Sequence, residues 1–298
     1  MSTMHQVFWK VDEQGRTRAR VWYVLVMWFS TCVLASMLAE AGVMWSSGKA
    51  MTSLEPFLAV ALAKSVLTGL LTHVALGELC SGERTITAWS ELLLLGTTGV
   101  LRSCVTGLGL CIVIVCPVVL QFVLVGTHWE LTDEPCGVGL RVGYLMGWFL
   151  VALHEEMLFR SLFVTQLPSL LGYVGACSVS SFLFTLPHAI SNPHPTTLLS
   201  LLGLGLLLHQ LTKTTRSLWG SVTFHFLFNV MQTSFFGLPI SGHSFPCSIL
   251  TPTGRTIPHL EGSPWLLVIV VFLNGILFFS AHRSGIPIPS PSVFRTMH

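Results

Sequence analysis

Apolar runs long enough to cross a membrane recur along this chain, and they restrict its fold more than any other feature. From Ser103 to Gly126 no acidic, basic or histidine residue interrupts the sequence. A helix needs about 20 mainly apolar residues to span the hydrocarbon core. In lipid only helices and closed barrels pair every backbone polar group internally. Runs of that kind lie near 21–45, 56–77, 92–126, 143–167, 172–190, 198–211, 218–240 and 264–281. The pattern predicts an all-α fold, a polytopic membrane helix bundle of about eight transmembrane helices. The third run is long enough to be tilted, broken at Pro117, or a hairpin, and the sixth is short enough to be a partial span. Composition agrees: charged residues make up 9% of the 298 positions, against about 25% in soluble chains.

Aromatic residues gather at the run ends (Trp22, Trp28, Trp45, Trp89, Trp129, Trp219 and Trp265) as they do at membrane interfaces. Eight spans place both termini on one side. That side holds Lys10, Arg16, Arg18, Arg20, Arg84, Lys213, Arg216, Arg283 and Arg295, and the other holds Lys49, Arg141 and Arg255. The imbalance predicts cytosolic termini. The domain plan is a cytosolic N-terminal segment over 1–20, a single transmembrane domain over 21–283 and a cytosolic tail over 284–298. The first apolar run is too long for a cleaved signal and reads as a retained anchor. The eight cysteines show no CxxC pair and lie mostly in apolar runs, so they read as small packing residues. A net charge of +2 with no basic stripe excludes nucleic acid as a partner, leaving the lipid bilayer as the first one.

Against this background one stretch stands out. His154-Glu155-Glu156-Met157-Leu158-Phe159-Arg160 sets two adjacent carboxylates and an arginine inside an apolar run. Ionisable groups in hydrocarbon cost several kcal/mol unless paired, hydrated or buried among helices, and they are functional candidates by default. Glu156 and Arg160 share a helix face, four positions apart, where an ion pair can form. Glu155 points about 100° away, so one carboxylate can be neutralised while the other faces a cavity. A structural ion pair beside a snorkelling glutamate is the plainer reading of the same residues. Two weaker signals follow on separate runs: Phe184-x-x-x-His188, and His225-x-x-x-Asn229 with both polar side chains on one face. Taken singly, each is more often interhelical packing than chemistry.

Together, in this order on three apolar segments, the Glu-Glu-x-x-x-Arg, Phe-x-x-x-His and His-x-x-x-Asn motifs resemble the type II CAAX prenyl endopeptidases. This is the Ras-converting membrane protease family, within the bacteriocin-immunity-type superfamily. The motifs cover 154–229, with Arg160-Ser161-Leu162-Phe163 and Ser217-Leu218-Trp219-Gly220 as supporting text. The resemblance implies a multi-pass enzyme of the endoplasmic reticulum membrane whose site is reached from the cytosol. It would remove the last three residues of prenylated CAAX proteins such as small GTPases. It makes Glu155 the activator of the attacking water and His188 the group that orients that water and passes a proton to the leaving amine. His225 and Asn229 become oxyanion donors, with Glu156, Arg160 and Phe184 in support. No metal or other cofactor is implied.

A zinc mechanism is weighed because His154-Glu155 nearly begins His-Glu-x-x-His, but the fifth position is Leu158. Zinc held by His154, His188 and His225 remains an alternative. Two further functions are carried alongside: a non-proteolytic scaffold of the same superfamily, and a transporter using the buried charges as a proton relay. The span boundaries place Glu155 mid-membrane, His225 nearer the cytosolic end and His188 nearer the opposite end. One site cannot occupy three depths, so a boundary must move.

Overall fold

The structure, a computed structural model, describes residues 9–11, 17–19, 21–79, 97–132, 136–254 and 259–283. The expected tail, 284–298, lies outside the described residues. So does the N-terminal segment, apart from a short antiparallel pair, β1 (Trp9–Val11) with β2 (Thr17–Ala19). Most of the rest is helical: α1 (Val21–Ser47), α2 (Leu54–Leu79), α3 (Thr97–Leu124), α4 (Val138–Thr165) and α5 (Pro168–Thr185). After the single turn α6 (His188–Ser191) come α7 (Pro195–Thr215), α8 (Leu218–Val230) and α9 (Pro264–Arg283). Taking α6 with α5, these are the eight helices the apolar runs predict.

Six of them are long and apolar enough to cross a membrane, so the all-α, multi-pass bundle stands. The expected partial sixth span is a 21-residue helix, α7. The third run forms one continuous helix through Pro117 from Thr97 onward. A helix in lipid tolerates an internal proline where neighbours compensate the freed carbonyl.

The seventh span ends before its apolar run does. Hydropathy carries it over 218–240; α8 passes at Val230 into a π-helical turn, Met231–Phe235, that continues the helical path and then stops. Gly237, at φ +63°, then turns the chain, and Pro239 cannot continue a helix. The Gln232 side chain fixes the turn by donating to the Pro239 carbonyl at 2.5 Å.

Membrane helices cannot rely on the hydrophobic effect to meet one another, so small residues and buried hydrogen bonds do the joining. Gly107 of α3 sits directly against the backbone of Gly220 in α8, where any side chain would collide. Trp28 Nε1 donates to Thr72 Oγ1 at 3.1 Å, tying α1 to α2. Ser65 Oγ reaches the Leu150 carbonyl at 2.9 Å between α2 and α4. Ser180 Oγ reaches the Phe159 carbonyl at 2.6 Å between α5 and α4. On the far flank Asn274 Nδ2 donates to the Gly203 carbonyl at 2.8 Å, joining α9 to α7. Outward faces carry exposed Val26, Leu34, Leu38, Leu62, Leu101 and Phe272, which suit a lipid surround. The result puts α4 in the middle, with α1 and α2 on one flank, α5 and α7 on another, and α8 on the third.

The connections on the face opposite the termini form a roof. There β3 (His128–Leu131) pairs antiparallel with β4 (Leu250–Thr253). Cys136 and Cys247, expected as packing residues, are joined instead in a disulfide. Phe245 wedges this roof between helices, its ring 4.7 Å from Trp148 and 5.2 Å from Phe57. Disulfides persist in oxidising compartments. We predict that alkylation of the unfolded, unreduced protein leaves Cys136 and Cys247 unlabelled while modifying Cys32, Cys104, Cys111, Cys116 and Cys177. Labelling of Cys136 and Cys247 without reductant would contradict the pairing.

Candidate active site

Helix α4 delivers Glu155 and Glu156 to the centre of the bundle, and its neighbours treat them differently. Glu156 is fully buried, and so is Arg160 one turn on; Arg160 Nη1 donates to Glu156 Oε1 at 3.1 Å. The guanidinium also lies 4.3 Å from the Phe184 ring centroid and reaches the Gly205 carbonyl through Nη2 at 3.5 Å. Gly205 permits this approach because α5 is close behind it: a side chain there would press on Ser181 at 3.1 Å and the Phe184 ring at 3.3 Å. Glu155, by contrast, keeps 23% of its side chain exposed. The two adjacent carboxylates are thus separated as the helix geometry requires, one neutralised and one open.

His225 of α8 links them. Its Nδ1 lies 2.8 Å from Glu156 Oε1 and its Nε2 lies 3.8 Å from Glu155 Oε2. A carboxylate already paired with arginine can only accept from the ring, so Nδ1 carries a proton and Nε2 is the atom turned to Glu155. Asn229 follows one turn later on the same helix, buried, its backbone carbonyl taken by Thr233 Oγ1 at 2.8 Å.

His188 opens α6, which continues α5 through Leu186 and Pro187, both with helical backbone. Its Nδ1 lies 3.1 Å from the Phe184 carbonyl and therefore donates to it, leaving Nε2 as the ring's remaining polar atom. Both histidines so have Nδ1 engaged and Nε2 available, an arrangement that fixes tautomer and ring direction. Phe184 is the post around which they stand, its centroid 5.4 Å from the His188 ring and 5.9 Å from the His225 ring. The sequence sets the three motifs at different depths, yet here they meet: Phe184 stands against both histidine rings and His225 against both glutamates, with α5 kinked at Gly172, at φ +67°.

Other polar groups meet the site without belonging to the three motifs. His154 is buried with Nδ1 2.9 Å from Thr68 Oγ1 of α2, so its ring is committed away from His188 and His225. Among the described residues no group of three His, Cys, Asp or Glu side chains is arranged to hold a metal ion. Lys64 pairs with Glu40 at 2.6 Å across α1 and α2, and Arg102 is exposed on α3. Glu261, in the roof, is buried and within electrostatic reach of His188 and Glu155. Burial pushes its carboxyl above the usual range, against the opposing pull of His188 and of hydrogen bonds from Ser241. Nothing in its Pro/Gly-containing loop signals this from sequence, where such a glutamate reads as solvated.

The comparisons with known proteins bear on the same helices. A family model described as type II CAAX prenyl endopeptidase Rce1-like matches residues 138–231. The chain is similar to that family over this segment. The segment runs from the first residue of α4 through α8 into the π-turn and so takes in every residue of the three motifs. Among curated proteins and among solved structures, nothing matches.

Two outcomes follow from the charges. Replacing Arg160 with leucine strands the Glu156 carboxylate and should cost about 3–5 kcal/mol, read as lost thermal stability in detergent. Adding Glu156→Gln should recover part of that loss, whereas an equally unstable double variant would show that the ion pair is not the cause. Glu261 binds its proton more tightly folded than unfolded, so its contribution is full below the unfolded carboxylate range and is lost as pH rises through the folded value. Glu261→Gln should flatten that part of the stability-against-pH curve.

Proposed function

We propose that this protein is an endopeptidase that removes the C-terminal tripeptide from prenylated CAAX proteins, using water activated by Glu155. The observation that carries the reading is the asymmetry of the two carboxylates. Glu156 is locked to Arg160 and His225, while its neighbour Glu155 stays accessible beside the open nitrogens of two histidines.

Peptide hydrolysis needs a deprotonated water, a proton for the departing nitrogen and fixed donors where negative charge develops. Glu155 takes one proton from a water as its oxygen attacks the carbonyl carbon of the prenylcysteine. His188, its ring held through Nδ1, orients that water from Nε2, then takes the proton from Glu155 and passes it to the leaving amine, which returns both groups to their starting state. The oxyanion of the tetrahedral intermediate accepts from Asn229 and from Nε2 of His225, a role that requires protons on both nitrogens of that ring. Collapse breaks the C–N bond, giving a prenylcysteine carboxylate and a free tripeptide. Every proton moved in this sequence is supplied by water and returned to product, and no step calls on a metal or other cofactor.

The membrane setting supports the substrate class. A farnesyl or geranylgeranyl chain partitions into lipid, which delivers the adjacent peptide bond to a site buried among helices. We place the enzyme in the endoplasmic reticulum membrane with its site entered from the cytosolic side. The roof on the opposite face, pinned by Cys136–Cys247, supports that direction of entry.

The test is tripeptide release from a farnesylated CAAX peptide by the full-length protein in liposomes, followed by mass spectrometry. Release should require the prenyl group, persist with chelator, and fall at least about 100-fold in Glu155→Ala. Loss on chelation restored by zinc would overturn the metal-free chemistry. A folded protein that cleaves no prenylated peptide would leave the scaffold reading in its place.

A further inference from the structure

The roof contributes one ionisable group to this site that none of the three motifs contains. Glu261 lies between β4 and α9, and it is only 4% exposed although it belongs to a connecting segment. A buried carboxylate without compensation is expensive, so its partners are informative. The Ser241 backbone N–H donates to Oε2 at 3.1 Å, and the Ser241 hydroxyl lies 3.5 Å from Oε1. Neither partner is charged. Of the titratable groups that act on Glu261, Glu155 of α4 is like-charged, and His188 of α6 is the one able to become positive.

The backbone explains how they meet. Ser241 and Gly242 form a turn, both at positive φ, and Gly242 lies so close to the Ser191 carbonyl that a Cβ would approach it to 2.8 Å. The roof turn is therefore seated on the same helical turn that presents His188. Glu261 grips the roof turn from one side, and the roof turn presses on α6 from the other. The segment behind Glu261 is anchored in its own right. Ser263 caps α9 through the Trp265 N–H at 3.2 Å and donates to Gln121 of α3 at 2.5 Å.

We propose that Glu261 is a positioning residue for His188, its carboxylate holding the roof against α6 and offsetting the charge His188 gains when it carries a proton. The inference rests on the proteolytic reading above. It adds to that reading a second carboxylate with a separate role, since Glu155 handles the water whereas Glu261 supports the histidine that hands its proton on. The groups facing His188 are then Glu155 from α4, Glu261 from the roof and the Phe184 carbonyl from α5.

Glu261→Gln separates charge from tethering, because the amide still accepts from Ser241 but cannot balance an imidazolium. In the full-length protein in liposomes it should lower kcat roughly ten- to a hundredfold with KM little changed. The limb on which activity fades with rising pH should move to lower pH, and Glu261→Asp should restore part of the rate. A Glu261→Gln enzyme with wild-type kcat and pH profile would overturn the proposal, whatever its stability. Should the wild type cleave no prenylated peptide, the proteolytic reading itself fails, and a second measurement decides on Glu261 alone. The infrared carboxyl band deleted by Glu261→Gln should shift toward the protonated form in His188→Ala; a band that stays put would refute the pairing.

Discussion

Arg160 and Glu156 are charged groups with no contact with water, and in the middle of a helix bundle each can exist only because of the other. Breaking such a pair costs far more than forming it gains, so the surroundings of α4 are built to protect it. Phe184 covers the guanidinium, Gly205 admits it to a carbonyl, and His225 takes up the remaining capacity of the carboxylate oxygen that Arg160 holds. These three partners come from α5, α7 and α8. The ion pair thereby dictates which helices must surround α4, and the candidate chemistry inherits its geometry from that packing.

Function follows from what the pair leaves over. A helix that fixes Glu156 inward necessarily turns Glu155 aside, and the ring that bonds Glu156 through one nitrogen offers the other to Glu155. A site assembled this way needs few polar residues, which suits a chain in which every buried charge must be accounted for. The histidines are held by the backbone carbonyl of Phe184 and by Glu156, not by each other, so each can change its proton state without dismantling the site. The roof covers one end of the bundle, latched to it by aromatic contacts at Phe245 and closed on itself by the Cys136–Cys247 bond.

Much of this was legible in the sequence because lipid imposes a simple code. Apolar length gave the helices, and the 3.6-residue period put Glu156 with Arg160 and His225 with Asn229. What escaped was set by contacts between distant segments. The stop after the π-turn at Phe235 is set by a backbone turn through Gly237 and Pro239, inside a run whose hydropathy alone continues to 240. Cys136 and Cys247 are 111 residues apart and carry no spacing signal. Glu261 looks like any loop glutamate until Ser241 and the α6 turn close over it. His154 shows the opposite case: its neighbour Glu155 suggested a metal site, whereas its ring serves the α2–α4 contact through Thr68.

The central claim is that Glu155 and His188 hold a water between them while Glu156 and Arg160 stay locked. Experimental density for the full-length protein in nanodiscs, at a resolution that shows ordered solvent, tests it most directly. The account predicts a water within hydrogen-bond distance of both Glu155 and Nε2 of His188, beside an intact Glu156–Arg160–His225 cluster. A dry site, or Glu155 drawn into a salt bridge with Arg160 or Lys64, would contradict it.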